Sequence, residues 1–409
     1  MFDPFAQSYV DDPYPLFAAV RAATPVFYNA KLGYWVITRY EDVRSVLRNP
    51  KQFSAANSLD VPPVCPAAGQ VLFEAGLNVI PTLTNTDPPH HTRVRRLTNQ
   101  AFTSERVKGT EGYVREFTRR ILTTRFRGGR ADLVKDLTWE LPPRIVHQLL
   151  GFPDQDTSFF QPGIDHPLQI LWGRPTESEQ VGVARGMAAF WTHTEQLVAA
   201  RTQRPEDDFI TALLEARAGD LEPLSPKEVS SIIFGILSAG HETTTSLLTH
   251  GFYRLLRDRD SWNRIRTDPT LIPNAVEEVL RIDPSVVAWR RVTTEGVNLA
   301  GATIPANAQV LLLLGSANRD PAVFEEPDVF DIDRQNARSQ LAFGVGAHLC
   351  LGAPLARLEA RIVFEEVSSH LPSLRLVPDQ KMDFPPNLLF REPLSLLVEW
   401  DEVSSGAGS

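Results

Sequence analysis

The chain has 409 residues, 43% of them apolar, and a formal net charge of -9; that is ample material for a buried core and excludes the clustered cations a nucleic-acid backbone requires. No stretch reaches the roughly 18 consecutive apolar residues of a spanning helix, and Phe2-Asp3-Pro4-Phe5 opens no signal peptide, so neither a membrane location nor secretion is expected. Two cysteines exclude a disulfide framework and make a reducing cytoplasm the expected compartment.

Nothing between Ala6 and Trp400 reads as a Ser/Gly linker or an internal repeat, so residues 1–402 are expected to form a single domain. Residues 403–409, with Ser404-Ser405-Gly406-Ala407-Gly408-Ser409, read as a flexible tail or the start of a linker.

Asp12-Pro13 opens a first helix through Leu16 to Arg21, Val26 to Tyr28 and Tyr34 to Thr38 read as short strands, and Glu41 to Arg48 as a helix. Ser54 to Pro81 is rich in Pro, Ala and Gly with weak periodicity, which predicts a long loop in the wall of a pocket. Asp87-Pro88-Pro89-His90-His91-Thr92-Arg93-Val94-Arg95 is a helix entrance that puts His91 and Arg95 one turn apart on one face; taken alone it is a solvated basic turn. Ser104 to Arg127, Leu141 to Leu150 and Glu177 to Arg201 are predicted helices, the second closed by Gly151, with Phe159 to Trp172 irregular.

Ser225-Pro226-Lys227-Glu228 is a capping box with proline at the first helical position. From it an apolar pattern runs to about Leu256, a helix about 45 Å long. Gly235, Ser238, Ala239, Glu242 and Thr243 recur along it at intervals of three and four, flanked by Ile232, Ile233, Ile236 and Leu237. Close helix packing accounts for the small residues. A carboxylate in that stripe is costly unless it has a partner or a task, and beside a threonine the task is proton movement. His241 alternates with the pair and is assigned no ligand role.

Glu278 and Arg281 lie one turn apart on a helix from Asn274 to Arg281, by themselves a commonplace ion pair. Pro284 to Arg291 then runs extended, Val297 to Leu299 and Ala302 to Ile304 make a hairpin around Ala300-Gly301, and Gln309 to Leu314 is a buried strand. Phe343-Gly344-Val345-Gly346-Ala347-His348-Leu349-Cys350-Leu351-Gly352 leads into a helix with Pro354 in its first turn. Cys350 precedes that helix N-terminus, where free amides and the dipole favour a thiolate. A small apolar cysteine in a glycine-rich turn is the plain alternative, and zinc lacks ligands, since beyond His348 and Cys350 only Cys65 remains.

The string F-G-x-G-x-H-x-C-x-G over Phe343 to Gly352 resembles the haem-binding loop of the cytochrome P450 family. Asp87 to Arg95, the segment Ala239-Gly240-His241-Glu242-Thr243-Thr244, and Glu278-x-x-Arg281 followed by Arg334 resemble further family motifs in the same order. The resemblance spans about Asp12 to Trp400 and is to the soluble bacterial branch. It implies a mainly α fold with a smaller β region, in which the long central helix and the cysteine-side helix sandwich haem b, iron protoporphyrin IX. Cys350 is then the iron ligand, with Phe343 beside it and backbone amides near Leu351 and Gly352 moderating its charge. His91, Arg95, Arg291 and His348 take the haem propionates and Ala239 lies beside the haem. Arg290 leaves the Arg291 assignment open, because a shift of one residue along an extended segment swaps faces.

The resemblance also makes Thr243 the hydroxyl that steadies oxygen and Glu242 the gate for protons, on a locally distorted helix. It places Glu278, Arg281 and Arg334 in an interlocked network behind the cysteine loop. Val79, Leu237, Val286, Val287, Leu388 and Leu389 are the implied substrate lining, apolar and short of charge. The implied reaction inserts one atom of O2 into a small-to-medium hydrophobic organic molecule, by hydroxylation or O-dealkylation, the other atom leaving as water. No flavin fingerprint or iron–sulfur cysteine set occurs, so electrons are expected from a ferredoxin with its reductase, or from a reductase fused beyond the C-terminus. A peroxygenase driven by hydrogen peroxide, or a non-catalytic haem sensor or carrier, would share the cysteine loop; the acid–alcohol pair favours O2.

Overall fold

The computed structural model describes residues 2–152, 167–219 and 221–401. The predicted tail at Ser404 to Ser409 and most of the stretch from Phe159 lie outside the described residues. The chain begins with α1 (Gln7–Asp11), α2 (Tyr14–Ala23), β1 (Val26–Asn29), β2 (Tyr34–Ile37), α3 (Tyr40–Arg48) and β3 (Phe53–Ser54). The expected long loop contains α4 (Pro66–Glu74), a correction to the reading of Ser54 to Pro81. Then come α5 (His90–Ala101), α6 (Ser104–Gly109) and α7 (Glu111–Arg125), so the single helix expected from Ser104 is divided at Thr110.

After β4 (Arg130–Asp132) follow α8 (Leu141–Leu150), α9 (Pro167–Trp172), α10 (Glu177–Gln203) and α11 (Phe209–Glu215). The last turns before Trp172 are therefore helical, not irregular. Gly151 closes α8 in the left-handed region at φ 83°. The spine comprises α12 (Pro226–Gly240) and α13 (Glu242–Arg257). At its start the Ser225 hydroxyl accepts from the Glu228 amide at 3.2 Å, and the Glu228 carboxylate accepts from the Ser225 amide at 2.8 Å; that closes the capping box as predicted.

The spine breaks at His241 without any proline. The Thr243 hydroxyl donates to the Ala239 carbonyl at 2.5 Å, and His241 Nε2 lies 3.0 Å from the Trp139 carbonyl. A side chain that bonds back to the i−4 carbonyl is a recognised cause of helix distortion. Beyond the break, Gly251 lets the spine press against the cysteine-side helix, since a Cβ there would lie 2.2 Å from the Phe364 ring.

The rest of the chain contributes α14 (Arg259–Thr267), α15 (Ile272–Ile282), β5 (Trp289–Thr293), β6 (Val297–Leu299), β7 (Ala302–Ile304), β8 (Gln309–Leu312), α16 (Leu314–Ala317), α17 (Ala353–His370), β9 (Arg375–Leu376) and β10 (Leu397–Glu399). Among the described residues the largest sheet has the order β1-β2-β8-β5-β3. Its register pairs Arg290 with Leu311 and Arg291 with Val310, so the two arginines occupy opposite faces of one strand. The largest apolar cluster joins Phe117, Ile145, Leu237, Phe252, Trp262 and Phe364 through the helical part of the molecule. A smaller one packs Phe17, Val36, Trp172, Leu311 and Leu389 on one face of the sheet.

Candidate functional site

Local backbone chemistry shapes the cysteine loop. Gly344 and Gly346 take φ of 67° and 83°, a region that side chains other than glycine rarely adopt. A Cβ on Gly346 would also stand 3.0 Å from the Leu47 carbonyl, so the loop rests directly on the end of α3. The turn closes where the Cys350 amide donates to the Phe343 carbonyl at 2.9 Å. Cys350 carries accessible surface, and burial within the surrounding protein pushes its thiol up. The amides of Gly352 and Ala353 and the guanidinium of Arg95 pull the other way. Gly352 is one of the two amides expected near the sulfur, and Ala353 is the second.

Around this sulfur the chain gathers cationic and imidazole groups, with Asp87 the carboxylate within electrostatic reach of His91, Arg291 and His348. The Arg95 guanidinium is within electrostatic reach of Cys350 and donates to the Leu349 carbonyl at 2.8 Å. The rings of His91 and His348 meet with centroids 4.1 Å apart. Each has a buried Nε2 without a hydrogen-bond partner. Burial first, then Arg291 and His91, holds His348 down to about 4; burial and then Arg95 lower His91. Arg291 is 2% exposed, bonds to the Ser58 hydroxyl at 3.2 Å, and is lowered by burial to about 10. Among the described residues neither Arg95 nor Arg291 pairs with a carboxylate. A thiol near two arginines that pair with no carboxylate among the described residues, and two histidines with unpartnered Nε2 atoms, suits a cofactor bearing two carboxylates and an iron that takes sulfur, and haem b meets that specification.

Behind the loop, Glu278 and Arg281 are both fully buried and joined by two bonds of 2.7 Å. Arg334 donates to the same Glu278 at 3.1 Å, and Arg281 also caps the carbonyls of Asn318 and Pro327. Asn318 in turn accepts from the Leu341 amide at 2.7 Å, which ties the network to the strand of chain leading into Phe343.

On the spine, Gly235 and Ala239 are exposed and Thr243 is half-buried. Glu242 is 2% exposed and accepts from the Leu168 amide at 3.0 Å. The Thr243 carbonyl accepts from the Ser285 hydroxyl at 2.7 Å, which brings the break in the spine against the segment holding Val286 and Val287. That segment meets the last turn: the Val287 amide donates to the Leu389 carbonyl at 2.8 Å and Val286 bridges Phe390. Val286 is half-buried, Leu388 is 8% exposed, and Leu237, Val287 and Leu389 are enclosed, while Val79 is exposed on the chain after α4.

Sequence reasoning passed over several participants. Asn57 donates to the Arg291 carbonyl at 2.9 Å and Ser58 holds the Arg291 guanidinium, and neither stands in a recognisable motif. Arg357 packs its guanidinium 4.6 Å above the Phe343 ring and pairs with Glu277 at 2.6 Å. Its spacing of seven from Cys350 is the signal that would have found it.

A sequence model of the family described as Cytochrome P450 matches residues 179–271 and 266–396. The cytochrome P450 monooxygenase PikC of Streptomyces venezuelae is 35% identical over 401 residues, covering 96% of this chain and 92% of its own. The P450 heme domain of Tepidiphilus thermophilus superposes with a TM-score of 0.92 at 36% identity, covering 98% and 96% of the two chains. An intact type IV self-sufficient cytochrome P450 monooxygenase matches at TM-score 0.92 and 37% identity; it covers 98% of this chain, which spans 52% of the longer protein.

Proposed function

The chain belongs to the cytochrome P450 family of haem-thiolate monooxygenases, and on that premise we propose that it oxygenates a small-to-medium hydrophobic organic molecule, by hydroxylation or O-dealkylation, with electrons from another protein module. The observation that carries the haem site is the set of groups itself: a thiol with two amides on its sulfur, together with Arg95 and Arg291, which pair with no carboxylate among the described residues, and His91 and His348, whose Nε2 atoms have no partner there.

Haem bound there supplies the activation of O2 and the oxidising power. The residues around it bind, position and move protons. Cys350 would hold the iron, its charge moderated by the amides of Gly352 and Ala353. Arg95, Arg291, His91 and His348 would fix the carboxylates, with Arg offering its planar fork. Thr243, half-buried and bonded back to Ala239, keeps a hydroxyl at the break in the spine. Glu242, one residue away, is a carboxylate that takes up and releases protons there. Val286 and Leu388 offer an apolar wall in one cluster with Leu389, while Leu237 belongs to the helical cluster and Val79 stands exposed after α4.

The electron donor is proposed to approach from the cysteine side. A cleft of about 300 Å³ between α6, α15 and α17 carries Lys108 and Arg338 beside Arg357 and Arg361, which pair with Glu277 and with Glu111 and Glu365; the two remaining cations favour an acidic partner such as a ferredoxin. A reductase module fused to the same polypeptide, as in the self-sufficient relative, is the second arrangement. A reducing cytoplasm remains the proposed location.

With a ferredoxin and its reductase, NAD(P)H oxidation that rises with a hydrophobic substrate, and label from O2 in the product, is the expected result. Turnover with peroxide alone, undiminished in Thr243→Ala and indifferent to electron donors, would establish a peroxygenase instead. Absence of substrate-coupled NAD(P)H oxidation across a broad panel would leave a haem sensor or carrier.

A further inference from the structure

Arg290 carries a buried charge without a counter-ion. It is 7% exposed, and among the described residues no carboxylate pairs with it. Its polar contacts are the Tyr34 hydroxyl at 3.5 Å and the carbonyls of Asp60 at 3.2 Å and Leu171 at 3.5 Å. Its Nε is buried with no partner at all. The other enclosed arginines are treated differently. Arg281 and Arg334 reach Glu278, Arg319 reaches Asp283 at 3.2 Å, and Arg391 has the carbonyls of Val10 and Asp11 at 2.6 and 2.7 Å. Arg291, on the other face of the strand, lies within electrostatic reach of His91 and His348. An enclosed guanidinium held by one ordinary and two 3.5 Å bonds to neutral groups is costly, and an anion would offset that cost.

A second orphan stands beside it. The Arg290 guanidinium lies 5.4 Å from the Trp172 ring, and the Trp172 Nε1 is likewise buried and unpaired. Trp172 stacks on Phe390 at 4.8 Å and meets Trp289 at 5.6 Å. The Trp172 carbonyl accepts from the Leu388 amide at 3.1 Å, and Phe390 bridges Val286. An aromatic ledge therefore joins the two orphaned donors to the proposed apolar wall. The Asp60 and Leu171 carbonyls come from the chain before α4 and from the end of α9, so the guanidinium now spans two separate segments.

We infer that Arg290, with Trp172 Nε1, binds an oxyanion head group, a carboxylate or phosphate, on the substrate, whose apolar body lies along Trp172, Trp289 and Phe390 toward Val286 and Leu388. The incoming anion replaces the bonds to the neutral carbonyls of Asp60 and Leu171 with charge-assisted ones. This rests on the haem-pocket reading above and adds a polar anchor to a lining that otherwise has none.

The test uses the haem-loaded protein and two azoles of equal chain length, a 1-alkylimidazole and the corresponding ω-(imidazol-1-yl)alkanoic acid, over a series of lengths. Imidazole nitrogen ligates ferric iron and shifts the Soret band, so both report binding in the same way. The acid is expected to bind about tenfold tighter than its neutral partner at the best length. In Arg290→Gln the ratio falls to near one while affinity for the neutral azole changes by less than about twofold, and Arg290→Lys retains part of the preference. A ratio near one in the wild type, or an unchanged ratio in Arg290→Gln, overturns the inference. Equal weakening of both azoles in that variant also overturns it and makes Arg290 a staple between Asp60 and Leu171. Failure of either azole to shift the spectrum sinks the haem-pocket reading instead.

Discussion

His91 and His348 face each other across 4.1 Å, and the inner nitrogen of each is sealed from water without a partner. His348 Nδ1 already faces the Leu83 carbonyl at 3.2 Å, so its Nε2 donates only in the protonated ring, and a carboxylate lying between the two rings would favour that form and give both nitrogens a partner. His91→Ala and His348→Ala should each weaken haem retention about tenfold, on the order of 1.5 kcal/mol, read as the rate of haem transfer to a scavenger protein. Unchanged transfer rates in both would remove them from the propionate site.

Glu278 is the common acceptor of Arg281 and Arg334, and its removal strands two enclosed guanidiniums. Glu278→Gln should cost roughly 3 to 5 kcal/mol of stability, seen as a lower denaturant midpoint and poor haem incorporation. The exposed pair Arg44 with Glu41 is the control; breaking it should cost at most about 0.5 kcal/mol. Equal effects at the two places would contradict the account of the network.

Particular residues explain what could be foreseen from the chain. Ser225 with Glu228 and Gly151 set helix ends through their own chemistry, so those boundaries were legible. The helix α4 was not: Cys65 gives no side-chain cap and Phe73 stays 80% exposed, so no amphipathic stripe marks it. The break at His241 depends on a carbonyl of Trp139, remote in sequence, and on the bond from Thr243 to Ala239. Cys350, His91, Arg95 and His348 belong to contiguous motifs and were readable. Arg290 and Trp172 acquire their meaning from partners they lack, which no string of letters displays.

His250 supplies a pH prediction away from the haem. It is fully enclosed, with Nε2 3.1 Å from the Arg391 carbonyl, Asp283 at 3.9 Å, and Arg391 and Arg254 alongside. Burial chiefly holds it down to about 4 from the usual 6.5. Below pH 6.5 the unfolded chain takes up a proton that the folded protein refuses until about 4, so stability falls as pH drops through that window. The loss amounts to about 3 kcal/mol. His250→Gln should flatten this slope in denaturation measured across the window; an unaltered slope would refute the assignment.

Arg357 couples the surface cleft to the cysteine loop through its position over Phe343. Arg357→Ala removes a positive charge near the sulfur, so the iron's reduction potential should become more negative and affinity for an acidic ferredoxin should fall, with the salt dependence of binding reduced. A potentiometric titration and a binding isotherm at two ionic strengths check both. An unchanged potential would confine Arg357 to the surface.

The central claim is that the Cys350 sulfur holds the iron. The most direct measurement is the spectrum of the reduced protein under carbon monoxide, for the wild type and for Cys350→His. The wild type should give the red-shifted Soret band of thiolate ligation, and the variant should retain haem but lose that shift. A folded, haem-loaded wild type without the shift, or a variant that keeps it, would contradict the account.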